Sequence, residues 1–207
     1  MENSALFNIS YGLYLLTANE NGFDNGSIIN TLAQVTYSPD KVSVTVNKST
    51  KTHEMIFNTN KFNASILTEK CPFELIERFG FQSGNETDKF KGFDGCKRSE
   101  NGIMYLTDFA NSYLSCEVVD KTDLGSHTLF IANINNSKVT SDEKSLTYDY
   151  YHKNIKPKKW ENTSTSKTYY RCIVCGYIYE GEELPKDFIC PWCKHGVEDF
   201  EKVVENE

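Results

Sequence analysis

Lys41-Val-Ser-Val-Thr-Val-Asn47 is the stretch on which the fold turns, and Lys48-Ser-Thr-Lys-Thr-His53 follows it directly. Val42, Val44 and Val46 recur at every second residue with polar residues between them. That is the period of a strand with one face in a core. A short helix is expected to begin near 51–53 and to carry Met55, Ile56 and Phe57. By themselves, residues 47–53 read first as a polar strand–helix turn with Ser49 or Thr50 as N-cap. The same residue types also suit an anion, since they offer hydroxyls, two ammonium groups and helix N-terminal amides.

Outward from this stretch the chain reads as a succession of strands. Residues 11–17 form an apolar strand candidate, and 19–26 are dense in turn formers. Residues 27–36 continue as strand, and Ser38-Pro-Asp40 marks a turn. Residues 62–67, 113–119 and 128–134 are further strands. Pro72, at a first-turn position, opens a helix with Phe73, Ile76 and Phe79 on one face. Residues 83–102 are polar and Gly-rich and read as a long loop with some helix. Many short strands and few helices give a mainly β class, a closed barrel with helical decorations.

The 207 residues leave room for one sizeable domain and one small one. We place the first at 1–155, a linker at 156–168 and the second at 169–207. The linker segment is polar and basic without periodicity, with a flexible reach of about 20 Å. The net charge of −7 argues against nucleic acid as a partner. No apolar run approaches the length of a membrane span, and no secretory leader is apparent. Cys71, Cys96 and Cys116 are scattered singly and read as ordinary buried or half-buried thiols in a reducing compartment, so a cytoplasmic protein is expected.

The last forty residues carry two Cys-x-x-Cys knuckles, Cys172/Cys175 and Cys190/Cys193. Four thiolates in a tetrahedron take zinc or iron. Spacing alone favours structural zinc, because so small a module needs a metal to fold. The flanking residues point elsewhere. Arg171-Cys-x-x-Cys-Gly-Tyr-Ile-Tyr179, the later Cys-Pro-x-Cys and Phe200 resemble the rubredoxins. That resemblance implies one iron held by Cys172, Cys175, Cys190 and Cys193, wrapped by Tyr170, Tyr177, Trp192 and Phe200. The loop between the knuckles is shorter than in a free-standing rubredoxin, and Lys194 stands where a knuckle glycine is common. From Tyr169 onward there are four Lys/Arg against nine Asp/Glu, which serves either solubility or docking to a basic redox partner.

The larger part, from about residue 5 to 153, resembles the flavin reductase-like, FMN-binding split-barrel family. It looks closest to the branch fused to rubredoxin, the high-molecular-weight rubredoxins. The marks are Ile9-Ser-Tyr-Gly-Leu-Tyr14, Asn25-Gly-Ser-Ile-Ile-Asn-Thr-Leu-Ala-Gln-Val-Thr36 and Val46-Asn-Lys-Ser-Thr-Lys-Thr-His53. Further on come Arg78-Phe-Gly-Phe-Gln-Ser-Gly84, Asp88-Lys-Phe90, Gly125-Ser-His-Thr-Leu-Phe130 and Thr147-Tyr-Asp-Tyr-Tyr-His-Lys153. The resemblance implies a split β-barrel binding FMN, with Asn47, Lys48, Ser49, Thr52 and His53 at the phosphate. It implies Asn30, Thr31, Gln34 and Thr36 at the pyrimidine edge, with Lys89 and Phe90 covering the flavin. His127 matches a position associated with the nicotinamide and stands as the catalytic candidate, although Ser126 replaces the usual Asp. His152 is a weaker candidate. Ser27 stands where relatives often carry cysteine, so no thiol chemistry is assigned there.

The expected function is a homodimeric oxidoreductase of an anaerobe. Electrons pass from NADH or NADPH through FMN to an Fe(Cys)4 centre, and then to a flavo-diiron protein reducing oxygen or nitric oxide. Two alternatives stay open: an electron carrier reduced by a separate reductase, and a zinc-containing ligand-binding protein.

Overall fold

Val42, Val44 and Val46 are 2, 0 and 2% exposed, while Ser43 and Thr45 between them stay half-buried. The alternation therefore does face one core, and it marks the inside of a rolled sheet. The computed structural model describes residues 8–157, 168–174, 177–181, 183–191 and 195–204. The chain divides into two units, Met1–Pro157 and Lys158–Glu207.

In the first unit, β1 (Tyr14–Glu20) turns at Asn21-Gly22 into β2 (Phe23–Ile29). Then come β3 (Ala33–Tyr37), β4 (Asp40–Asn47), α1 (Lys51–Thr59), β5 (Lys61–Leu67) and α2 (Phe73–Gly80). The short strands β6 (Cys96–Arg98) and β7 (Met104–Leu106) precede the long pair β8 (Ala110–Asp123) and β9 (His127–Val139). A single helical turn, α3 (Tyr148–Tyr150), runs into a π-helical turn at Tyr151–Ile155. The main sheet is antiparallel in the order β2-β1-β5-β8-β9-β4-β3. Residues from β1, β4, β5, β8 and β9 share one core with Met55 and Ile56 of α1, so the sheet curls on itself. Its two edges, β2 and β3, are not paired with each other. This is the expected split barrel.

Helix α1 starts where a cap is available. Thr50 is the N-cap and its hydroxyl accepts the His53 N–H at 3.2 Å. The helix ends at Asn60, whose φ of 57° lets its N–H return to Ile56 O. A second core lies against α2, where Leu75, Ile76 and Phe79 pack with Leu13, Leu15, Leu67 and Leu146. Pro72 is the N-cap of α2, one residue earlier than the first-turn position expected, and Phe73 is only partly buried.

The expected loop at 83–102 contains no described helix and instead holds β6 of a small hairpin. Asn63 Nδ2 donates to Ile103 O at 2.9 Å and Thr17 Oγ1 donates to Met104 O at 2.6 Å, tying that hairpin to the barrel. Its strands are three residues each, too short to show a period.

In the second unit, β10 (Thr168–Cys172), β11 (Ile178–Tyr179) and β12 (Phe200–Val204) form a sheet in the order β11-β10-β12. Most of the expected linker, including Trp160, lies outside the described residues.

Candidate functional site

The register of β4 on β9 sets Asn47 opposite His127, and Lys48 N–H donates to Ser126 O at 3.0 Å. The turn at 47–53 and the catalytic candidate therefore meet at one end of the sheet. Within the turn, Asn47 Oδ1 accepts both the Ser49 N–H and the Ser49 hydroxyl, each at 2.9 Å. Thr50 is the cap, the second of the two possibilities the sequence left open. His53 is 8% exposed, and its Nε2 shares a hydrogen bond of 2.8 Å with the Thr128 hydroxyl. Its ring lies between Phe57 and Phe130, with centroids 5.8 and 5.5 Å away. Burial, then the charges of Lys48, Lys121 and His127, push its imidazole below the ordinary value.

Two members of this cluster were not singled out from sequence. Lys121 on β8 donates to Phe57 O at 2.5 Å, and its ammonium sits 4.2 Å above the Phe57 ring. Asp123, at the end of β8, meets Lys48 Nζ at 2.5 Å and accepts the Gly125 N–H at 2.7 Å. These two bonds hold its carboxyl below the ordinary range. His127 Nδ1 pairs with the Ser126 hydroxyl at 2.8 Å. The turn is thus a basic, hydroxyl-rich surface at a helix N-terminus, and its donor set fits a phosphomonoester.

The pyrimidine-edge candidates run along the neighbouring strand. Thr31 Oγ1 donates to Thr45 O at 2.8 Å and accepts the Thr45 N–H at 3.1 Å, filling a gap in the pairing of β4. Asn30 is half-buried beside it. Gln34 and Thr36 lie on β3, exposed throughout. The Thr36 hydroxyl donates to Pro39 O, and the Gln34 amide reaches Asp40 Oδ1 at 3.5 Å. Gln34 pairs with Val42, so it stands about 17 Å along β4 from Asn47 at about 3.4 Å per residue. The candidates form an elongated row.

Lys89 and Phe90 are placed differently. Lys89 is 3% exposed, and its ammonium donates to Gly26 O at 2.9 Å and Phe79 O at 3.0 Å. Burial draws its pKa down to about 8. Phe90 packs on Phe79 at 5.1 Å. Both residues tie the segment after α2 onto β2 and the end of that helix. Thr52 is fully buried, with its hydroxyl 3.0 Å from Asn25 Nδ2 and 2.7 Å from Ser27 Oγ. It braces α1 against β2 from behind the turn. Gly84 closes over the same place: a Cβ there would lie 2.4 Å from the Asn25 amide. His152 lies apart, its ring centroid 4.5 Å from that of Tyr148, with its pKa lowered by burial and by Lys156. Burial raises the Cys71 and Cys116 thiols to about 12, consistent with inert core residues.

In the second unit Cys172 and Cys190 are both fully buried. Each opens a loop closed in the same way: Cys172 N–H donates to Tyr177 O and Cys190 N–H to His195 O, both at 2.8 Å. Two buried cysteines that each open a loop closed by the cysteine's own N–H suit a shared metal, since closed metal sites are built from cysteine sulfur. Cys175, Cys193, Gly176, Trp192 and Lys194 lie outside the described residues. Of the expected aromatic wrap, Tyr177 and Phe200 meet at 6.5 Å. Tyr170 lies 6.5 Å from Tyr179. Phe188, which the motif reading passed over, stands among them at 6.2 Å from Tyr177, 4.8 Å from Tyr179 and 5.4 Å from Phe200.

A split barrel with a phosphate-type turn, joined to a module of paired cysteine loops, defines a two-domain redox protein. Residues 6–158 match the flavin reductase like domain, and residues 170–201 match the rubrerythrin, rubredoxin-like domain. The chain is 34% identical to the high molecular weight rubredoxin of Moorella thermoacetica over 98% of this chain and all of that one. It is 36% identical to the ferric-chelate reductase (NAD(P)H) of Archaeoglobus fulgidus, over 80% of this chain and 96% of that one. Among solved structures, nitrilotriacetate monooxygenase component B from Mycobacterium thermoresistibile shares the fold, with a TM-score of 0.63 and 23% identity. That match covers 77% of this chain and 90% of that one. The chain belongs to the flavin reductase like domain family and carries a C-terminal rubredoxin-like domain. The expected fold and family are borne out, and the two domains together fit an electron-transfer oxidoreductase.

Proposed function

We propose that this chain takes electrons from NADH or NADPH at FMN in the barrel and passes them to an Fe(Cys)4 centre in the C-terminal domain. The observation that carries this reading is the meeting of the 47–53 turn with His127 at one end of the sheet. In the same chain a second unit holds two buried cysteines in equivalent loops. When bound, FMN converts a two-electron hydride donor into single-electron traffic. Lys48, Ser49 and the first-turn amides of α1 hold the phosphate. His53, kept neutral by burial and by its basic neighbours, fixes α1 to Thr128 and orients the turn. Thr31, with Asn30 and Gln34, lines the edge toward the pyrimidine side. His127, held by Ser126, stands toward the nicotinamide side. Cys172, Cys175, Cys190 and Cys193 hold the iron, and Tyr177, Phe188 and Phe200 keep water from it.

The same reading sets the domain boundaries at 155 and 169. It also makes the chain a homodimer: β3 is an open sheet edge with Val35 47% and Tyr37 85% exposed, which a second copy would cover. Among the described residues no helix is long and apolar enough to cross a membrane. The single thiols support a reducing cytoplasm, and the resemblance to rubredoxin-fused proteins suggests an anaerobe. Electrons then leave the iron for a partner, which we take to be a flavo-diiron protein reducing oxygen or nitric oxide.

Anaerobic titration of the purified protein with NADH, then NADPH, tests the reading by visible absorption. Flavin and iron bands should both bleach within seconds of mixing. A colourless protein, or bands that bleach only when a separate reductase is added, would sink it.

A further inference from the structure

Two lysines stand in the 47–53 turn, and each faces a carboxylate. Lys51 Nζ lies 3.0 Å from Glu54 Oε1, within its own helix. Lys48 instead reaches across to the turn between β8 and β9, where Asp123 Oδ1 is 2.5 Å away. Asp123 is exposed but doubly bonded. The same oxygen accepts the Gly125 N–H at 2.7 Å, and Gly125 adopts a φ of +85°, which glycine takes without steric cost. A turn remote in sequence thus aims a carboxylate at the phosphate-type turn. Lys48, Lys121 and His127 each lie close enough to His53 for their charges to lower its pKa, so Lys48 belongs to a basic cluster.

We infer that Asp123 sets the affinity of this turn for a phosphomonoester by competing with it for Lys48. The inference rests on the phosphate reading of residues 47–53 proposed above. A phosphate monoester carries nearly two negative charges at neutral pH. The ammonium has donors to spare, but a carboxylate 2.5 Å away already offsets its single charge, and the two anions repel each other. Asp123 therefore weakens phosphate binding, while Glu54, engaged with Lys51 along the helix, leaves Lys48 untouched. The charge at position 123 keeps the cofactor exchangeable, where a neutral residue would hold it longer.

The test uses the full-length protein stripped of flavin, titrated at low salt with FMN and with riboflavin, and read by flavin fluorescence. Asp123→Asn keeps an oxygen for the Gly125 N–H and removes the charge. It should tighten FMN binding about two- to fivefold, the range of an exposed ion pair. Riboflavin, which lacks the phosphate, should bind unchanged. The gain should vanish in a Lys48→Met background and shrink as salt is added. If Asp123→Asn leaves FMN affinity unchanged or lower while Lys48→Met weakens it, the competition is refuted and the phosphate reading stands. Equal tightening of FMN and riboflavin also refutes it, since the effect would not lie at the phosphate. If Lys48→Met alters neither ligand, the phosphate reading itself falls and takes the inference with it.

Discussion

Lys89 is a buried ammonium held by carbonyls, and among the described residues no carboxylate forms an ion pair with it. Replacing Lys89 with Met keeps the apolar stem and removes the charge. Burial lowers its pKa from 10.5 to about 8, and at about 1.36 kcal/mol per pKa unit the shift amounts to about 3 kcal/mol. The sign follows from proton counts. Between about 8 and 10.5 the unfolded chain still binds the proton and the folded chain has released it, so stability rises with pH across that window. The gain is complete above 10.5 and is lost as the pH falls through about 8. Near neutral pH the fold therefore carries the whole cost of a charged side chain, offset in part by the carbonyls of Gly26 and Phe79. Urea unfolding of the full chain and of Lys89→Met, across this pH range, measures it. Subtracting one from the other cancels the remaining lysines, tyrosines and thiols. The native protein should gain on the variant by about 2–3 kcal/mol over the window. Parallel curves, separated by a constant amount, would mean that two carbonyls solvate the ammonium as well as water does, and the burial argument would be refuted.

Gly84→Ala should cost about 1–3 kcal/mol, because the new methyl meets the buried Asn25 amide at 2.4 Å and displaces it from the Thr52 hydroxyl; urea denaturation gives the value. Cys190→Ala should abolish the iron absorption and unfold the C-terminal domain while FMN absorption survives, since the barrel has cores of its own; metal analysis and visible spectra distinguish the two. His53→Gln retains a hydrogen-bonding group for Thr128 and removes the titration. The depressed His53 pKa gives stability that is present above the ordinary histidine value and lost as pH falls through the folded one, so the native barrel should lose more on acidification than the variant. Paired melting curves from neutral to acidic pH would show the difference.

Strand 41–47 was legible because it packs one face against a core and that burden is written at a period of two, whereas 62–67 is buried on both faces and showed only as a short, mostly apolar run. Helix α1 was legible because Thr50 and the residues after it combine a cap with apolar spacing. The hairpin of β6 and β7 was not, because it is held by Asn63 and Thr17, side chains from other strands with no local sign of that task. The site divides along the same line. The turn at 47–53 is local, so its cap and helix start could be read from its own residues, whereas its reading as an anion site came from the family resemblance. Which of its members face a ligand is settled by partners far away. Thr52 looks like a ligand until Asn25 and Ser27 claim its hydroxyl. Lys89 looks like a flavin cover until two carbonyls claim its ammonium. Asp123 shows the converse. In sequence it belongs to a plain Asp-Leu-Gly turn, and it acquires a role only because β9 pairs with both β4 and β8, which brings it 75 positions back to Lys48. A polar residue's role in this barrel is therefore decided by strand order, and residues whose partners lie across the sheet are where substitutions will test the reading hardest.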